Sequence, residues 1–283
     1  MGTPPNSVSG FFLVTTPIRY SGGNGHATGF FLNHYGTTYL VTNKHVLDIS
    51  THNGNPLEEV RIFIRPNPAN VLETEHHDLR IHLNDQPTWL SHDNFEIDIA
   101  ALPLEPPITD EPIEVPSYDP LIDDRASANQ APEMGNLALT LADTPTSEQL
   151  VNETSITAIR GGSQAMILGY PLETSNNYLP VARSALISSP YGENVNEFPF
   201  FRTDARTHPG LSGSPVITTT ADSTAKVRIQ DGSVDVSTAA QLLQDIEWYF
   251  IGIHAQSSDE ENVLGLNDAF YPYFLGDFLP STK

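Results

Sequence analysis

Thr37-Thr38-Tyr39-Leu40-Val41-Thr42-Asn43-Lys44-His45-Val46-Leu47 is the stretch on which the fold turns. Its β-branched and aromatic residues predict a strand over 37–42. Just upstream, Gly29-Phe30-Phe31-Leu32 predicts another, and His34-Tyr35-Gly36 supplies a turn between them, so the two form a hairpin. A histidine follows the end of the second strand. There a ring can face a cleft and shuttle a proton, work that suits histidine's ordinary pKa of about 6.5.

Strand signals continue in both directions. Gly10 to Val14 is a short β-prone run interrupted near Pro17, and Glu59 to Ile64, Leu79 to Leu83 and Phe95 to Leu102 follow the hairpin. The second half offers Ser155 to Arg160, Ala165 to Gly169, Val181 to Ile187, Phe198 to Thr203, Pro215 to Thr218 and Trp248 to His254. Ala239, Leu242, Leu243 and Ile246 are spaced like an amphipathic helical turn or two, read as an insertion. Ala269 to Leu279, rich in Tyr and Phe, reads as a closing segment. Between the two sets of strands, Glu105 to Asp124 is dense in Pro and acidic residues and lacks periodicity. The expected organisation is all-β: an N-terminal β-barrel over 8–104, an acidic, proline-rich connection over 105–150 and a C-terminal β-barrel over 151–283.

Composition narrows the function classes. The formal net charge of −22 repels phosphate backbones, which argues against nucleic acid and anionic membrane as partners. The chain has no cysteine, so packing must replace disulfides and thiolate chemistry is absent. There is no run of 18 apolar residues, and Met1 to Phe12 lack the basic and apolar regions of a signal peptide. These features predict a soluble, cytoplasmic chain. His76-His77 has no third ligand at a recognisable spacing, so neither a metal nor another cofactor is expected.

The chemistry is concentrated in Gly210-Leu211-Ser212-Gly213-Ser214-Pro215, where a loop meets the apolar run Val216-Ile217. A serine between glycines is what an exposed nucleophile needs. The N–H groups of Gly210 and Ser212 would form an oxyanion hole. Alone, such a string is also a common turn. Asp98 stands between Ile97 and Ile99, where a carboxylate needs hydrogen bonds. Accepting the Nδ1 proton of His45 would satisfy it and fix the tautomer. Glu96 and Asp93 are the rival acids.

Taken in order, these segments resemble the trypsin-like peptidases of the chymotrypsin superfamily, especially the bacterial kind that includes the HtrA and glutamyl-endopeptidase groups. The matching pieces are Thr28-Gly29-Phe30, Val41 to Val46, Asp98 to Leu102, Thr203-Asp204-Ala205 and Pro209 to Pro215. Phe250-Ile251-Gly252-Ile253-His254 is similar to the strand after the nucleophile. The resemblance implies a chymotrypsin-like double β-barrel with its active site in the cleft between the barrels. It implies a serine endopeptidase acting on polypeptides, with His45 as base, Asp98 as orienting carboxylate and Ser212 as nucleophile. The pocket for the side chain before the cut would be lined by Arg206, His254, Ala255 and Ser257.

Two departures matter. Leu211 stands where many members have Asn or Asp, so activation through an ion pair with a new N-terminus is not expected; Ser214 replaces the commoner glycine. The chain ends at Lys283 without a peptide-binding second domain, which would separate it from the HtrA group. Two pocket readings stay open. His254 and Arg206 would favour Glu or Asp before the cut, whereas the net negative charge argues against attracting acidic peptides and leaves a small or medium apolar, or an undetermined, preference as the other reading. The alternative function is a catalytically inactive barrel used for binding or as a scaffold; a complete triad distinguishes the two. An esterase reading would require activity on simple esters and none on peptides.

Overall fold

The computed structural model describes residues 10–20, 25–48, 58–67, 70–116, 136, 138–140, 159–171, 179–195, 197–206, 208–219, 229–230, 233–234, 248–255 and 265–281. After a four-residue helix α1 (Gly10–Leu13), the first sheet is built from β1 (Thr15–Tyr20), β2 (His26–His34), β3 (Thr37–Thr42), β4 (Glu59–Ile64) and β5 (Glu75–Arg80). A small hairpin, β6 (His82–Leu83) and β7 (Gln86–Pro87), leads to β8 (Leu90–Ser91), β9 (Ala100–Pro103) and β10 (Leu139–Thr140). The sheet order is β5-β4-β1-β2-β3-β9-β8, antiparallel throughout, with β10 added parallel to β2. In the β2–β3 hairpin His34 pairs with Thr37, so Tyr35 and Gly36 form a two-residue loop. Both have positive φ, 45° and 81°, the twist that joins right-handed strands without splaying them.

The second sheet comprises β11 (Gln164–Gly169), β12 (Val181–Leu186), β13 (Phe200–Thr203) and β14 (Pro215–Thr219). A separate hairpin, β15 (Ile229–Gln230) and β16 (Ser233–Val234), precedes β17 (Trp248–Ala255) and β18 (Asn267–Phe270). Its order is β12-β11-β14-β17-β18-β13. The bridge between Ile187 and Thr203 joins the first and last of these strands and closes the barrel. Two short helices complete the described elements, α2 (Lys44–Leu47) after β3 and α3 (Phe274–Phe278) near the end. The fold is therefore a chymotrypsin-like double β-barrel.

The near-continuous apolar run of β2 has a simple cause: both its faces are buried. Alternate residues of a strand point to opposite faces. Phe31 and Leu40 fill the first barrel, while Phe30, Leu32, Tyr39 and Val41 join a core shared with the second barrel. Phe30 meets Phe250 edge to face across that junction, with ring centroids 5.1 Å apart. Arg65, fully buried, also links the barrels: its guanidinium donates to the carbonyls of Thr15 and Val71 and to the Tyr170 hydroxyl.

Several local expectations change. Gly10–Leu13 is helical rather than extended, because a strand needs a partner and the β1–β2 ladder begins only at Thr15 and Phe30. Of Phe95 to Leu102 only Ala100 to Leu102 lies in a strand, as the start of β9, since β3 ends at Thr42 opposite Ala100. Phe95 lies in a turn and is exposed. The described part of the connection belongs with the first barrel: Ile108, Ile113, Val115 and Ala138 enter its core, and β10 joins its sheet. Ile159 and Arg160 are not in a strand, while 155–158 and the helical turn expected over 237–246 lie outside the described residues. No helix among the described residues is long and apolar enough to cross a membrane.

Candidate active site

Asn43 is extended and α2 starts immediately after it, at the end of a strand buried on both faces. The first N–H groups of a helix lack intrahelical partners. Asn43 makes no capping bond with its side chain. Instead the Asp98 carboxylate takes that role, 53 residues from His45: Oδ1 accepts the His45 backbone N–H at 2.9 Å, while Oδ2 lies 2.6 Å from His45 Nδ1. Asn43 Nδ2 donates in return to the Asp98 carbonyl at 2.8 Å. One carboxylate thus sets both the backbone and the ring of His45, with the short separation of a charge-assisted bond. When Nδ1 donates to Asp98, Nε2 is the basic nitrogen, on a side chain that is half exposed. Ile97 and Ile99 are buried on either side, and the rival acids Asp93 and Glu96 are exposed with no bond to His45.

Ser212 sits in a turn clamped between β2 of the first barrel and β17 of the second. The Thr28 N–H donates to the Ser212 carbonyl at 2.9 Å, and the Gly213 N–H donates to the His254 carbonyl at 2.9 Å. The His254 N–H donates to the Ser214 carbonyl at 2.8 Å. Gly213 has φ 83°, and a Cβ there would lie 2.2 Å from both the Thr28 carbonyl oxygen and Thr42 Oγ1. Gly210 has φ 102°, and its Cβ would lie 2.4 Å from the Tyr170 carbonyl oxygen. Only glycine can follow this path. Because Gly213 abuts Thr42, three residues before His45, the serine turn and the histidine share one junction. Among the described residues, the Gly210 and Ser212 N–H groups have no acceptor. Leu211 is buried in the shared core, which accounts for an apolar residue at that position.

The four residues assigned to the pocket are less alike than the sequence suggested. His254 is fully buried with neither ring nitrogen hydrogen-bonded among the described residues. Burial, with a smaller contribution from nearby His45, lowers its pKa to about 3, so the ring is neutral. Arg206 is exposed, and its carbonyl accepts a bond from Arg183 at 2.6 Å. Ala255 is buried, and Ser257 lies outside the described residues. Sequence reasoning gave no role to Thr28 and Thr42, whose hydroxyls both act at the junction. Two threonines in strands read simply as β-formers. The one available signal was a hydroxyl amid strands expected to be buried. No group of side chains suited to a metal occurs among the described residues.

The sequence matches the trypsin-like peptidase domain family over residues 27–223, a span that contains His45, Asp98 and Ser212. The chain belongs to this family. No curated protein matches it in sequence. Among solved structures, it is similar to the serine endoprotease from Yersinia pestis, at 14% identity and a TM-score of 0.46, over 94% of this chain and 61% of that one. Deg5 is similar at 13% identity and a TM-score of 0.50, over 95% of this chain and 88% of that one. The HtrA-type protease AlgW with tripeptide is similar at 15% identity and a TM-score of 0.48, over 98% and 62% respectively. The chain therefore spans about three fifths of the length of the Yersinia pestis and AlgW structures. At 13% identity the likeness to Deg5 is one of fold.

Proposed function

We propose that the chain is a serine endopeptidase acting through an acyl-enzyme. The observation that carries this reading is the double hold of Asp98 on His45, at a junction that also fixes the Ser212 turn. His45 Nε2 removes the Ser212 proton as Oγ attacks the scissile carbonyl, and Asp98 stabilises the imidazolium that forms. The Gly210 and Ser212 N–H groups receive the oxyanion, each worth about 3 kcal/mol if well placed. His45 then protonates the leaving amine, and water activated by the same ring releases the acyl group. In this state His254 supplies no positive charge to the pocket. A positive charge to favour Glu or Asp before the cut would therefore have to come from Arg206.

Incubation with a mixed peptide library, followed by mass spectrometry of the products, tests both parts. We expect internal cuts that vanish in Ser212→Ala. Cuts that persist in Ser212→Ala would reject Ser212 as the nucleophile, and no cuts by the wild type would return the chain to the scaffold reading. Comparing cuts by wild type and Arg206→Ala reads out the role of Arg206 in the pocket.

A further inference from the structure

Thr28 is fully buried in β2, and each of its polar groups is engaged at the Ser212 junction. Its N–H donates to the Ser212 carbonyl at 2.9 Å. Its hydroxyl donates to the Gly210 carbonyl at 2.7 Å and accepts the Tyr170 N–H at 2.9 Å. Its carbonyl accepts the Thr42 hydroxyl at 2.8 Å. Each peptide group is planar, so fixing a carbonyl fixes the N–H across the same bond. Thr28 thereby sets the planes of the Gly210–Leu211 and Ser212–Gly213 peptides. Between them lies the Leu211–Ser212 peptide, which carries the Ser212 N–H and whose carbonyl accepts the Ser214 N–H at 3.0 Å. The Gly210 N–H depends on the same anchor, because the other bond to the Gly210–Leu211 peptide among the described residues, from the Leu211 N–H to the His208 carbonyl, is long at 3.4 Å.

The support beneath Thr28 is rigid. Tyr170, whose N–H its hydroxyl accepts, is buried, and the Tyr170 phenol accepts a bond from the equally buried Arg65 at 2.8 Å. Gly169 leaves the necessary room: a Cβ there would lie 2.7 Å from Thr28 Oγ1 and 2.0 Å from Ser214 Oγ.

We propose that Thr28 is a positioning residue for the oxyanion hole, its hydroxyl holding the Gly210–Leu211 peptide so that the Gly210 and Ser212 N–H groups converge on one point. This rests on the peptidase reading above. Without the hydroxyl, the Gly210 carbonyl loses its donor and the peptide keeps only the long Leu211 N–H to His208 carbonyl bond, so its plane shifts and an oxyanion donor is lost while the substrate groove stays intact.

The test is steady-state kinetics on a peptide substrate with Thr28→Val, Thr28→Ala and Thr28→Ser, each with its Tm. It is joined by inhibition constants for a peptide aldehyde, which forms a hemiacetal on Ser212, and for a cleaved peptide product. We expect kcat to fall about 100-fold in both hydroxyl-free variants, the loss typical of one oxyanion donor, with KM changed less than about threefold. Aldehyde affinity should fall with kcat and product affinity should not. Thr28→Ser should restore kcat to within about threefold of wild type. Thr28→Ala serves if Thr28→Val fails to fold. A lower Tm with undiminished kcat, or a serine variant as slow as the alanine one, would overturn the proposal while leaving the peptidase reading intact. A wild-type chain that neither cleaves peptides nor binds the aldehyde would remove the peptidase reading, and the role of Thr28 with it.

Discussion

The corner carrying His45 and the loop carrying Ser212 are held in place by different means. His45 is set largely by side chains: one carboxylate on its ring and backbone, and one amide on the carbonyl of Asp98. The Ser212 loop is set by backbone bonds to Thr28, His254 and Ser214 and by one hydroxyl, that of Thr28 on the Gly210 carbonyl, with glycines where a side chain cannot fit. The first arrangement can lose its chemistry and keep its shape. The second cannot lose its shape without losing its chemistry.

Gly213→Ala should break this contrast most severely. The new methyl meets the backbone carbonyl of Thr28, which cannot swing away, at a φ that L-residues resist. We expect a destabilisation of at least about 3 kcal/mol in denaturant titration, with activity lost in parallel. Full stability in this variant would show that the junction is looser than described.

Asp98→Asn probes the other half. It should leave a folded protein with a nearly unchanged Tm, yet lower kcat by about 10⁴-fold, because the amide no longer fixes the His45 tautomer. If turnover and Tm fell together in proportion, the corner would be as structural as the loop.

The most gradual effect lies on the loop side and is read through pH. His254 has a folded pKa lowered to about 3, so between that value and histidine's ordinary 6.5 the unfolded chain binds the extra proton. Stability is therefore fully present above about pH 6.5 and declines as the pH falls toward 3. The His254 contribution amounts to a few kcal/mol, on the order of 5 if the whole shift is realised. Tm measured from pH 7 to 4 for wild type and His254→Gln should show a shallower acid limb in the variant. Parallel curves would mean that His254 is solvated or paired.

Much of this was legible in the sequence, and for different reasons in the two halves. The β2–β3 hairpin was visible because Tyr35-Gly36 punctuates two apolar strands, and His45 because it follows the second of them. Gly210 and Gly213 were visible as glycines, but the atoms that exclude a side chain from them, on Thr28, Thr42 and Tyr170, come from distant segments. Ile97 and Ile99 alternate with Asp98, a pattern that reads as a strand. Those isoleucines are buried by the shared core rather than by a ladder. Ile108, Ile113 and Val115 gave no periodic signal among prolines and acids, although all three fill the first barrel. Pairing and burial between remote segments leave no local period to read.

The central claim is that Ser212 is a nucleophile activated by His45 and Asp98, and labelling with a fluorophosphonate followed by peptide mapping tests it most directly. A single adduct on Ser212 is predicted. It should be lost in Ser212→Ala and greatly slowed in both His45→Ala and Asp98→Asn, with all three variants folded. Failure of the folded wild type to label, an adduct on another residue, or labelling of Ser212 at an unchanged rate without His45 would contradict the account.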